Sequence, residues 1–252
     1  MPGSTISTNP HGIIIEFNED LHSYKSKIDG NIVSYISVSQ LAGKYFPKFE
    51  SEKIAGFTAK KEGVSTQEIL DRWSKAGKEA CQFGTRVHET CEDIILNRPL
   101  RNSPLNDKET KVFSKAIEIA TKFRNDLEIL GVEKLVFNEK LKIAGTIDLF
   151  AKSKNSNTYF IIDWKTNKSI DTENKYNSKG LYPIQMLDNT NYVHYGLQLN
   201  LYEYILKATG YIDVFANVRK VLIHLTDTGF QKYELPDMQE HVKNIILENI
   251  LN

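Results

Sequence analysis

The apolar and polar positions of the chain fall into a strand-like opening, a helical middle, and a second half in which helices and strands alternate. Ile13 to Phe17, Ser23 to Ile28 and Ile32 to Ile36 read as strands. Asp29-Gly30-Asn31 joins the last two, and an Asp-Gly turn between such runs favours a hairpin. From Ser37 to Gly84 the pattern is helical, punctuated by Pro47 and Gly63. Ser65-Thr66-Gln67-Glu68 predicts a capping box ahead of Ile69, Leu70 and Trp73. Gly84-Thr85 is expected to open a further helix that ends near Leu96. Asp107 to Leu130 predicts a long amphipathic helix, with Val112, Ala116, Ile119, Ala120, Phe123 and Leu127 at helical spacing and Gly131 as its stop.

Three strand-like runs follow: Val132 to Asn138, Ile143 to Ala151 and Thr158 to Thr166. A polar stretch, Asn167 to Asn191, precedes a helix from Tyr192 to Ala208. Val214 to Leu225 reads as a strand and Met238 to Ile250 as a final helix. The second half is therefore α-β-β-β-α-β. Its sheet is expected to be mixed, because the last strand returns through a helix and not a tight turn.

Composition narrows the class. The 252 residues carry 32 basic and 32 acidic side chains, for a net charge of zero, and are 40% hydrophobic with seven prolines. That describes a folded protein of one large domain, or one domain with an appended subdomain, and excludes a histone-like DNA coat. No apolar run reaches the roughly 18 residues that a membrane helix needs, so no membrane partner is expected. Met1 to Asn9 has no basic region ahead of an apolar core, so no secretory signal is expected. Cys81 and Cys91 are the only cysteines, too few for a disulfide scaffold, a four-cysteine zinc site or an iron–sulfur cluster. A reducing cytoplasm is the expected compartment.

The chemistry concentrates between Ile143 and Thr166. Opposed residues of an antiparallel hairpin have a constant sum of positions. A turn centred between Asn155 and Ser156 therefore sets Asp148 opposite Asp163, with Cβ atoms about 5 Å apart. Two carboxylates facing each other among Ile147, Leu149, Phe150, Ile161, Ile162 and Trp164 repel and lose hydration, and a divalent cation is the economical compensation. Lys165 lies two residues after Asp163 and projects from the same face. An ammonium there can orient a water, take its proton or stabilise developing negative charge. His88 and Glu92 share a face of the Gly84 helix, although a lone helical histidine is more often a packing residue than a ligand.

Gly84-Thr85-Arg86-Val87-His88, Gly145-Thr146-Ile147-Asp148, Asp163-Trp164-Lys165-Thr166 and Gln198-Leu199-Asn200-Leu201-Tyr202 resemble, in that order, the motifs of RecB-like nucleases of the PD-(D/E)XK superfamily. The resemblance is greatest to phage and mitochondrial single-strand DNA exonucleases. It implies an α/β, restriction-endonuclease-like core at residues 84–252, preceded at residues 1–83 by a β-hairpin and a helical, arch-like region. By position it makes Asp148, Asp163 and Lys165 catalytic. It makes His88, Asp148, Asp163 and the Trp164 carbonyl ligands of Mg2+ or Mn2+, and sets Gln198 and Tyr202 beside the scissile phosphate. Glu92 and Glu139, the latter on the strand before Asp148, are lower-ranked acidic groups. Lys168, Lys175 and Lys179 alternate with Tyr176 and Tyr182 in the long polar stretch, a composition suited to phosphates and stacked bases, or equally to a solvated insertion.

The expectation is thus a metal-dependent exonuclease on single-stranded DNA ends, in replication, recombination or repair, with replication or recombination proteins as partners and a phage role by resemblance. The chain has no Gly-x-x-x-x-Gly-Lys-Ser/Thr, so no nucleotide cofactor is expected. Two rivals stay open: a structure-specific endonuclease of the same fold, and a catalytically silent DNA-binding module.

Overall fold

The computed structural model describes residues 3–251. Met1 and Pro2, the start of the stretch read for a secretory signal, and Asn252 lie outside it. The chain opens with an antiparallel meander of β1 (Ser4–Thr8), β2 (Ile14–Asn18), β3 (Ser23–Ile28) and β4 (Asn31–Ser37). Asp29 and Gly30 take φ of 49° and 82°, the left-handed pair that a two-residue hairpin turn requires. Helices α1 (Val38–Lys44), α2 (Ser51–Glu62) and α3 (Thr66–Ile95) follow. The reciprocal capping box sits on α1, between Ser37 and Gln40. At α3, Ser65 accepts from the Glu68 N–H while the Glu68 side chain turns to Arg72.

The rest of the chain runs α4 (Asp107–Asp126), β5 (Leu127–Asn138), β6 (Ile143–Ser153), β7 (Thr158–Lys165), α5 (Asn191–Ala208), β8 (Asn217–Thr226), β9 (Gly229–Glu234) and α6 (Gln239–Leu251). From α4 to β8 this is the expected α-β-β-β-α-β order of a restriction-endonuclease-like fold. β1 and β9 were not foreseen. Two boundaries differ from the sequence reading. Leu127 to Gly131 belong to β5 and not to α4, because Leu127, Glu128 and Ile129 pair with Ser153, Lys152 and Ala151 of the long β6. Leucines at positions 127 and 130 satisfy a helical period, but the ladder bonds to β6 decide the conformation. Gly84 does not open a helix; it lies inside the 30-residue α3. A mid-helix glycine costs about 1 kcal/mol against alanine, and here a Cβ would lie 3.3 Å from the Thr166 hydroxyl. The glycine lets α3 come close to the end of β7.

The nine strands form one mixed sheet, ordered β1-β2-β3-β4-β6-β7-β8-β9 with β5 also on β6. β4 runs parallel to β6, and β8 parallel to β7. One face packs Ile147, Phe150, Ile161 and Leu222 against α1, α5 and α6; the other packs Leu149, Ile162, Trp164 and Ile223 against α3 and α4. Alternation of side chains along β6 and β7 puts apolar residues on both faces, as a sheet covered by helices on both sides demands. No helix of the described residues is long and apolar enough to cross a membrane.

β6 is the strand that makes the site. One edge pairs along its length with β5. The other edge is shared: β4 takes Ile143 and Ala144, and β7 takes Leu149 to Lys152. Between them, among the described residues, 145–148 have no ladder partner on that edge.

Candidate active site

The β6–β7 register has the constant sum that its turn predicted: Leu149 faces Ile162 and Phe150 faces Ile161. One position further, where Asp148 and Asp163 fall, the two strands part. The Asp148 carboxylate substitutes for the ladder, its Oδ2 accepting the Trp164 N–H at 2.9 Å. A buried backbone donor at a strand fork needs an acceptor, and the aspartate supplies it. Asp163 is buried at 4% exposure, with Lys165 Nζ 2.6 Å from its Oδ2. Burial raises the Asp163 carboxyl to about 6, Lys165 opposing and Asp148 adding to the rise. For Lys165 burial pulls the other way, but Asp163 and Asp148 outweigh it and hold the ammonium above its ordinary value. Its Nζ also lies 4.7 Å from the centre of the Tyr195 ring, whose hydroxyl donates to Asn167 Oδ1 at 3.1 Å.

His88 reaches this fork from α3, one turn after Gly84. Its Nε2 and the Trp164 carbonyl are 2.9 Å apart, and its Nδ1 lies 3.4 Å from Asp148 Oδ2. With Nε2 donating to the carbonyl, Nδ1 is the ring nitrogen that faces Asp148. His88, Asp148 and the Trp164 backbone thus form one set of contacts and Asp163 with Lys165 a second, the two joined through the chain at residues 163–165.

A residue that the sequence reading passed over joins them. The β5–β6 register pairs Leu135 with Thr146 and Lys134 with Ile147, so Glu133 falls opposite Asp148. It has a φ of 46°, an uncommon conformation for a residue with a Cβ, which marks a position held by its surroundings. Ligand atoms of His88, Glu133 and Asp148 all lie within 4.8 Å of one another. Enclosure by the protein lifts the Glu133 carboxyl to about 8, with Asp148, Glu92, Asp163 and Glu19 adding repulsion. The same constant-sum argument, applied to the turn between Asn138 and Ile143, points to Glu133.

Gln198 and Tyr202 approach from α5. The Tyr202 hydroxyl donates to the Thr146 carbonyl at 2.7 Å, taking an acceptor in the unpaired stretch of β6. Burial pushes this phenol well above its usual range, so it remains a donor. Gly145 makes the approach possible, since a Cβ there would lie 2.8 Å from the Tyr202 ring. A cleft of about 730 Å³ opens over the cluster, lined by His88 and Glu133, by Glu89, Glu92 and Arg101, and by Phe17 and Glu19 of the N-terminal meander.

Other expected positions are engaged elsewhere. Glu92 lines the cleft but is held by Arg101 and by Arg98 at 3.5 Å. Glu139 accepts from Asn9 and faces His11 at 2.7 Å, tying β5's end to the N-terminal segment and not to the cluster. Lys175 pairs with Asp171 at 3.3 Å and Lys179 with Asp188 at 2.5 Å, so both are partly neutralised within their own loop, whereas Lys168 is exposed at its start.

The residues fit a divalent cation. Asp148 and Glu133 supply hard oxygens and His88 a nitrogen, and Asp163, its carboxyl raised by burial and further by the charge of Asp148, follows on β7. Two carboxylates and one imidazole make a donor set for a divalent cation. The sequence placed two opposed acids here, Asp148 and Asp163, and the structure adds Glu133 as a third.

No curated protein sequence matched the chain. The family model described as the PD-(D/E)XK nuclease superfamily matches residues 59–250. That span runs from the end of α2 through α6 and contains His88, Glu133, Asp148, Asp163, Lys165, Gln198 and Tyr202. Nucleases of this kind use divalent metals and act on DNA, which the carboxylate cluster at the β6–β7 fork suits, and the chain belongs to the PD-(D/E)XK nuclease superfamily.

Proposed function

We propose that the protein is an exonuclease of the RecB-like branch, hydrolysing phosphodiester bonds from single-stranded DNA ends in replication, recombination or repair. The observation that carries the reading is the placement of the cluster: His88, Glu133 and Asp148 face a cleft walled by α3 on one side and by Thr5, Phe17 and Glu19 of the N-terminal meander on the other. A strand that enters such a cleft does so without a paired complement beside it.

Asp148, Asp163, Glu133 and His88 would hold the cation, with the Trp164 carbonyl alongside them. When bound, Mg2+ or Mn2+ supplies Lewis acidity at a phosphate oxygen and lowers the pKa of water. The protein's own groups do the rest. Lys165, kept protonated by Asp163 and Asp148, directs a water toward phosphorus and offsets negative charge as it builds on the phosphate. Tyr195 under the ammonium and Asp163 beside it fix its position. The Gln198 amide, on the same face of α5 as Tyr202, is placed to donate to a phosphate oxygen. Displacement of the 3′ oxygen in line leaves a 5′ phosphate on the product. Cys81 and Cys91 as free thiols accord with a reducing compartment, and the cytoplasm is the proposed location.

The test compares wild type with Asp163→Asn and Lys165→Ala on end-labelled linear and closed circular single-stranded DNA, in magnesium, manganese and EDTA. The expected result is metal-dependent degradation of the linear form alone, lost in both variants. Cleavage of circles would make the enzyme an endonuclease. Binding without cleavage of either form would make it a silent DNA-binding module.

A further inference from the structure

A second cavity, of about 220 Å³, adjoins the acidic cleft. Phe17, Glu133 and Thr146 line both, so the two spaces meet beside Asp148. Their linings differ in kind. The larger cleft carries Glu19, Glu89, Glu92 and Glu133 with Arg101. The smaller is lined by three rings of the β2–β3 hairpin, Phe17, His22 and Tyr24, facing Ser39 and Gln198. Phe17 stacks on Tyr24 with ring centres 4.4 Å apart and planes at 18°, and His22 stands edge-on to Phe17 at 5.4 Å. No lysine or arginine is among its lining residues.

We infer that this smaller cavity is a subsite for one unpaired nucleobase of the strand being cut. A phosphate would need cations that the cavity does not have, whereas a base needs ring faces for its planes and neutral donors and acceptors for its edges. Phe17 and His22 provide the first. The Ser39 hydroxyl, 3.2 Å from Ser37 Oγ, and the Gln198 carbonyl oxygen, whose NH2 is left to the adjoining phosphate, provide the second. The shared wall fixes the register: a nucleotide whose phosphate sits at Asp148 and Glu133 has its base within reach of the rings. A base must leave its complement to enter a cavity of this size walled by the β2–β3 hairpin. The subsite rests on the nuclease reading for its register, and it explains why that nuclease takes single strands.

The experiment steps 2-aminopurine through successive positions of a short single-stranded oligonucleotide and reads its fluorescence in EDTA on the uncut complex. One position is expected to be quenched by stacking. In the double variant Phe17→Leu/His22→Ala that quench disappears and the oligonucleotide binds roughly tenfold more weakly, while Phe17→Tyr keeps both. Phe17→Leu retains apolar bulk against Tyr24, so a preserved thermal melt separates lost stacking from lost folding. An equal signal at every position, a quench unchanged in the double variant, or an oligonucleotide that does not bind overturns the inference. Metal-dependent cleavage of the same oligonucleotide by wild type is read separately, so failure of the nuclease reading and failure of the subsite give different results.

Discussion

Asp163 and Glu133 both face Asp148, one from each neighbouring strand of β6, and they are held in opposite ways. Asp163 sits where the β6–β7 ladder has ended, buried, with an ammonium 2.6 Å away. Glu133 sits where the β5–β6 ladder runs past it, open to the cleft, at φ 46°. Loss of solvation raises both carboxyls, Asp163 in the interior and Glu133 by the protein around its cleft, but Lys165 restrains Asp163 at about 6 while Glu133, among like charges, reaches about 8. The difference teaches that one acid is organised by the fold itself and the other is left to be organised by what binds. Asp163 belongs to a preformed pair; Glu133 is the carboxyl whose charge the proposed cation would neutralise.

The sharpest break in that comparison comes from the preformed pair. Asp163→Asn and Lys165→Ala should each lower single-turnover cleavage by about a thousandfold or more. Thermal melting should part them: Asp163→Asn removes a buried charge, whereas Lys165→Ala strands one and destabilises. Equal melting of the two variants would mean that the pair is not coupled as described.

Glu133→Gln should cost less, about 10–100-fold at low magnesium, with partial recovery as magnesium rises. Its stability signature is distinct. The Glu133 carboxyl is raised from 4.5 to about 8 on folding, so the folded state keeps a proton that the unfolded chain releases. Its contribution is therefore greatest below pH 4.5 and lost as pH climbs to 8, and metal-free wild type should melt at falling temperature across that window. Glu133→Gln should flatten the fall, and only the lower part of it, from Asp163 between 3.8 and about 6, should persist. Melts in EDTA from pH 5 to 9 decide this.

Gly145→Ala tests whether α5 must touch β6. The added Cβ would meet the buried Tyr202 ring at 2.8 Å and Val38 at 3.1 Å. Overpacking of this kind costs about 1–3 kcal/mol, so the melting temperature and the cleavage rate should fall together. The smallest effect is expected at Tyr195. Tyr195→Leu removes the ring face from Lys165 and should slow cleavage roughly fivefold, for about 1 kcal/mol, and shift the pH–rate profile. Tyr195→Phe, which keeps the ring, should restore the profile.

The opposition of Asp148 and Asp163 was legible because a hairpin is local: the four pairs from Leu149–Ile162 to Lys152–Tyr159 carry the register up to the two aspartates without help from the rest of the chain. Glu133 was equally legible by the same rule on the preceding hairpin, and was passed over in favour of Glu139, which turns instead to Asn9 and His11. The helix–strand boundary at Leu127 was not legible, since leucines at 127 and 130 serve either period and only the length of β6 decides between them. Gly84 was read as punctuation when its reason is a neighbour 82 positions later, Thr166.

By itself, then, the sequence determined the order of elements from α4 to β8, the mixed sheet, and the acids and lysine that share one hairpin, because each depends on contacts a few residues to a few tens of residues apart. The tertiary structure alone decided that β4 would seat parallel on β6 and stop at Ser37, leaving 145–148 open, and that α3 would carry His88 to Trp164 across 76 positions. It alone laid Phe17, His22 and Tyr24 beside the cluster. Those placements depend on how whole elements pack against one another, on glycines that permit close approach and on ladder bonds between distant strands, and such long-range choices leave no local period to read.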